Sequence, residues 1–153
     1  MGEDARFEYI YKFFSRDRVR PGDFAANRDL LDHGTLYVAR FGADGTGEWL
    51  PLMQGIGPLT AANGFADQGE ALIKARQASD APPGATKMDR SEWIAVDAIE
   101  QSIYCNLTND SQRGAPGRPP GGSARGALAA LPVPSATQRR SVRHAPRSPK
   151  NGG

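Results

Sequence analysis

The 153 residues suffice for one domain by length, but charge divides them: residues 1–110 hold 11 Lys and Arg, all 17 Asp and Glu and all 12 aromatics (net −6), whereas residues 111–153 hold 8 basic residues, no acid and no aromatic (net +8). With Leu128, Leu131, Val133 and Val142 as its large apolar residues, the tail cannot offset the entropy of ordering its backbone, so a mainly β fold is expected within residues 1–110 and a disordered basic Pro/Gly/Ala/Arg-rich tail over 111–153. One cysteine, Cys105, excludes an intrachain disulfide and a multi-thiolate zinc site, and two histidines, His33 and His144, exclude histidine-rich metal chemistry.

No stretch approaches the ~18 consecutive apolar residues of a membrane span. The opening MGEDARFEYIYKFF lacks a basic segment followed by a small-residue cleavage site, so no export signal is visible, and the chain as given is expected to stay in the cytoplasm.

In chain order, Phe7, Tyr9, Tyr11 and Phe13 recur with period two, opposite Glu8, Ile10, Lys12 and Phe14, which predicts a strand with one aromatic face. SRDRVRPGDFAANRDLLDHG then reads as a long loop, with a helical turn through Arg28–Asp32. Next, GTLYVARF, GADGTG and EWLPL predict a β-hairpin pairing residues 35–41 with 48–52 across a six-residue Gly-rich connection. Leu72, Ile73, Ala75 and Arg76 at helical spacing, with Glu70 four residues before Lys74, predict a short helix between Ala66 and Ser79, ended by Pro82–Pro83–Gly84. A second strand pair, 92–97 with 102–108, follows. Hairpins separated by long insertions are compatible with two partial blades of an irregular β-propeller whose open edges call for partners.

Chemistry concentrates between Thr86 and Asp97, where Lys87, Asp89, Arg90 and Glu92 precede the apolar run Trp93–Val96. A carboxylate at the mouth of a strand suits a divalent cation, and a guanidinium beside it matches the oxygens of a phosphate; a solvated loop with a surface ion pair is the plain alternative. Asp44 and Asn63, in glycine-bearing loops, could bind calcium, but the plainer reading is that they shape turns, and His33 before Gly34 also reads as a turn residue. Cys105 reads as a small core hydrophobe. Asn106 and Asn109 are divided between capping a turn and facing a polar channel. The tail would bind polyanions nonspecifically, but it has no aromatic for base stacking. Its abrupt change of composition reads better as a GC-rich stretch translated out of frame.

ARFEYIYKF, LLDHGTLYVARFGADGTGEWLPL, ALIKARQASDAPPGATKMDRSEWIAVD and IYCNLTNDSQRG resemble, in order, consecutive interior segments of the PhoX-type alkaline phosphatase family, over roughly residues 2–118. The resemblance implies a partial β-propeller segment over 1–110, taken from exported enzymes that use calcium and iron to hydrolyse phosphate monoesters and leave the cell by the twin-arginine route. It implies that Glu92 matches the metal-binding glutamate of the family's Asp-Arg-Pro-Glu-Trp motif, that Arg90 matches the phosphate-holding arginine, and that Glu3 or Asp4 supplies a further ligand. Ser91 stands where the family usually has proline, and Asn106 where threonine is common. The implied calcium and iron site is incomplete, so the isolated chain is expected to be inactive. The other readings are a noncatalytic binding module with a polyanion-binding tail and a lactonase-like propeller fragment, and the arginine two residues before Glu92 favours phosphate over lactone.

Overall fold

The computed structural model describes residues 5–42, 44, 46–81, 84–97, 102–108, 111–112 and 114–116. Most of the basic tail expected to be disordered, and Asn109, lie outside them. The described residues form a mainly β structure: β1 (Arg6–Glu8), β2 (Tyr11–Ser15), α1 (Phe24–Asn27), β3 (Gly34–Phe41), β4 (Gly47–Pro51), a 3-10 turn (Ala61–Asn63), α2 (Gln68–Ile73), α3 (Ala75–Asp80), β5 (Met88–Asp89), β6 (Ser91–Asp97) and β7 (Ser102–Leu107). The strands make three antiparallel sheets, β1–β5, β2–β3–β4 and β6–β7, and none closes into a barrel among the described residues.

The hairpin forms where predicted, in the register Val38↔Leu50 and Ala39↔Trp49. Its turn is made by Asp44, whose carboxylate accepts from Thr46 N at 3.0 Å and Thr46 Oγ1 at 2.7 Å, so Asp44 shapes the connection. Arg40 clasps the Glu48 carboxylate across the strands at 2.8 and 2.5 Å. At the other end β2 crosses so closely over Gly34 that a Cβ there would lie 2.4 Å from the Phe14 carbonyl, a contact that only glycine avoids.

The central sheet is buried on both faces, which follows from the pleat. Val38, with Tyr9, packs on Leu52, Leu59 and Phe65 and on Ala71 and Ala78 of the helices. Ala39, with Ile10, packs on Met88 and Cys105 towards β5–β7. Full burial of one such large apolar side chain contributes roughly 1.5–3 kcal/mol.

Three local expectations are corrected. The aromatic run is not one strand: Phe7 has φ 62°, the ladder stops, and β1 joins a different sheet from β2, while the adjacent Tyr9 and Ile10, on opposite sides of the chain, enter separate cores. The helical turn lies at Phe24–Asn27, where the Asp23 carboxylate accepts from Ala26 N, while 28–32 forms turns. The helix expected over Ala66–Ser79 is two, broken at Lys74 (φ −95°, ψ 32°). Asp67 caps α2 by accepting from Glu70 N at 2.8 Å, and Glu70 meets Lys74 at 2.7 Å, the spacing read in the sequence.

Candidate functional site

The segment between α3 and β6 is anchored first by backbone. Thr86 N donates to the Ala39 carbonyl at 3.1 Å, and Thr86 Oγ1 accepts from Phe41 N at 2.8 Å, tying it to the end of β3. Lys87 pairs with Asp80 at 2.7 Å, and the Tyr9 hydroxyl donates to the same carboxylate. Burial raises the Asp80 carboxyl, but the hydrogen bonds from Lys87 and Tyr9 outweigh it and hold the group below its ordinary range. Burial and the Asp80 hydrogen bond together push the Tyr9 phenol well above its ordinary range. Lys87 therefore serves to fix α3 to this segment, and Arg76 ties α3 to the end of β1 by pairing with Glu8.

Beyond Lys87 the chain forms β5, with Met88 and Asp89 both buried, antiparallel to β1 in the pairing Arg6↔Asp89 and Glu8↔Met88. Two sequence regions about eighty residues apart thus lie side by side. Arg90 follows at φ 45°, and its carbonyl accepts from Thr108 N at 3.2 Å and Thr108 Oγ1 at 3.4 Å. A non-glycine residue held in this left-handed region costs of order 1–3 kcal/mol, and such strain concentrates where side chains must be aimed for function. Phe7, on the neighbouring strand, carries the same feature at φ 62°. Neither is glycine or asparagine, so no sequence signal marks them.

Glu92 opens β6 as an exposed carboxylate, with no hydrogen bond or ion pair to another described residue. Arg90 is partly buried. Between them Ser91 is 1 % exposed, and its hydroxyl is buried without a hydrogen-bond partner, at the position where the family usually carries proline. Glu3 and Asp4 lie outside the described residues. Among the described residues no three His, Cys, Asp or Glu side chains gather as a metal-binding group, so these residues do not by themselves fit a calcium or iron centre. The remaining candidates resolve structurally. Cys105 is buried in the second core, where desolvation raises its thiol. His33 stands 3.6 Å from Asp17 at the surface, Asn63 donates to the Pro58 carbonyl at 2.8 Å, and Asn106 is exposed on β7. No described helix is long and apolar enough to cross a membrane.

The sequence matches the family model of alkaline phosphatase PhoX over residues 1–151, a span that runs past residue 118, where the motif resemblance ends. Among solved structures it is similar to Pseudomonas fluorescens PhoX in complex with vanadate, a transition state analogue. The two are 52 % identical with a TM-score of 0.72, over 80 % of this chain and 22 % of that one. Comparison with curated proteins gives no match. These likenesses define a segment of phosphatase type. The chain belongs to the PhoX alkaline phosphatase family. It spans 22 % of the length of the solved relative.

Proposed function

We propose that this chain is a segment of a metal-dependent phosphatase acting on phosphate monoesters, in which β2–β3–β4 and β6–β7 are parts of two propeller blades, Arg90 holds the phosphoryl group, and Glu92 supplies one oxygen ligand to a calcium or iron ion. The observation that carries it is the 52 % identity to a relative whose structure holds vanadate, a transition state analogue. The local geometry supports the same reading: Glu92 is exposed and has no side-chain partner among the described residues, Arg90 is held in a strained conformation next to it, and the pairing of β1 with β5 brings the strand just after Glu3 and Asp4 alongside the strand that leads into Arg90.

The planar guanidinium of Arg90 presents a fork of N–H donors to two phosphoryl oxygens, which orients the ester and offsets charge that builds on those oxygens. The hydrogen bonds from Thr108 to the Arg90 carbonyl fix the backbone from which that side chain extends. A bound metal ion would act as a Lewis acid, but one exposed carboxylate is too small a donor set to hold it firmly. The 153-residue chain by itself is therefore proposed to be inactive, with export by the twin-arginine route belonging to longer family proteins.

The test pairs the purified chain with a longer family protein carrying this segment, both assayed on p-nitrophenyl phosphate with added calcium and iron. The chain alone should show background hydrolysis. In the longer protein Glu92→Gln should lower turnover at least about a hundredfold, as loss of a catalytic charge does, while Arg90→Ala should act mainly by raising KM. Unchanged turnover after Glu92→Gln would overturn the assignment.

A further inference from the structure

The β6–β7 ladder slips once. Ser91 pairs with Leu107 and Ile94 with Cys105, so two residues of β6, Glu92 and Trp93, stand opposite the single Asn106 of β7. Residues directly opposite on an antiparallel ladder share a face of the sheet. Ser91 is buried, and Leu107, Ile94 and Cys105 belong to the second core or pack against it, so both pairs face inward. The two residues between them therefore bulge outward together, and the exposures agree: Glu92 and Asn106 are exposed, and Trp93 is 76 % exposed. In a regular strand Trp93 would take the inward place opposite Cys105 that Ile94 now holds.

The bulge thus keeps the largest apolar side chain of β6 out of the core. Its indole makes no ring stack, cation contact or hydrogen bond with another described residue. A lone exposed apolar residue is ordinary, but this one is held out by a bulge, beside the exposed Glu92 carboxylate and three residues after Arg90 at φ 45°. Bulges and positive φ both re-aim side chains, and here they fall within four residues. A further stretch of polypeptide laid on the indole would also close off Glu92, whose Cα is about 3.8 Å away along the chain. A substrate that uses both groups would not. Arg90 and Trp93 lie roughly 10 Å apart at a strand rise of about 3.3 Å per residue, a separation that a phosphate ester of a planar alcohol can span.

We propose that Trp93 selects the substrate: with the phosphoryl group on Arg90, its indole face stacks against the aromatic alcohol group of the ester, so that aryl phosphates are preferred to alkyl phosphates. The proposal rests on the phosphatase reading of Arg90 and Glu92 and adds the organic half of the substrate.

The test measures kcat/KM for phenyl phosphate and for glycerol phosphate in a longer family protein carrying this segment. Trp93→Ala should lower the phenyl phosphate value at least about fivefold more than the glycerol phosphate value, as loss of a stacked aromatic pair does, with the difference lying in KM. Trp93→Phe, which keeps an aromatic face, should restore most of the preference. Trp93→Leu, which keeps apolar bulk without that face, should not, and it replaces Trp93→Ala if that variant does not fold. Equal losses on the two esters, with a lowered melting temperature, would mean that the indole is covered by the rest of the longer polypeptide and would overturn the proposal, as would an unchanged ratio. Glu92→Gln, assayed alongside, separates the two readings. If it abolishes turnover of both esters while Trp93→Ala leaves their ratio unchanged, the phosphatase site stands and the role of Trp93 falls. If turnover survives Glu92→Gln, the site itself falls and takes the proposal with it.

Discussion

The central sheet β2–β3–β4 and the stretch from β5 to β7 are built from similar strand-forming residues and satisfy their polar groups very differently. In the hairpin the turn carboxylate is capped by Thr46, and Arg40 and Glu48 meet across the strands. In the second stretch Arg90 is held at positive φ, the Ser91 hydroxyl is orphaned, and Trp93 is 76 % exposed. One region is arranged for stability; the other keeps strain and uncommitted groups in place, as binding and catalytic segments do. Lys12 is the exception inside the stable sheet, a buried cation without a counter-charge among the described residues.

The comparison breaks first at Gly34. Gly34→Ala would drive a methyl into the Phe14 carbonyl and Phe13 ring and should cost about 3 kcal/mol, seen as a lowered urea midpoint with an unchanged slope. A loss below a few tenths of a kcal/mol would mean that β2 is not seated as described.

Lys12 sharpens it next. Burial lowers its pKa from 10.5 to about 8, so between those values the unfolded chain binds more protons than the folded one, and stability should rise with pH across that window. Below pH 8 the group is protonated in both states and the penalty is fully present. Tyr37, which faces it across the strands, is itself pushed up by burial and so stays neutral over most of that range. Lys12→Met should flatten the profile and add about 2 kcal/mol at pH 7, after allowance for solvent screening. A profile that kept its slope in the variant would remove Lys12 as its source.

The smallest effect tests the strained side. Arg90→Gly relieves the positive φ and should stabilise the fold by about 1 kcal/mol in denaturant titrations, while weakening phosphate binding in a longer family protein. A variant both less stable and unimpaired in phosphate binding would reverse the contrast between the two regions.

Much of this was legible from sequence because it is local. The hairpin follows from β-branched and aromatic runs around a Gly-rich turn, the Glu70–Lys74 pair from its spacing, and the burial of Cys105 from its apolar strand. The family followed from several motifs in order, far more specific together than any one alone. Tertiary structure decided the rest. Alternation along Phe7–Phe14 describes one strand, yet the ladder breaks after Glu8: β1 pairs with β5, about eighty residues away, while β2 pairs with β3. The same alternation puts Lys12 opposite the aromatic face, where an isolated sheet would leave it in water. In the folded chain its ammonium is buried over the Trp49 and Tyr37 rings, and desolvation depends on what the fold brings around a side chain.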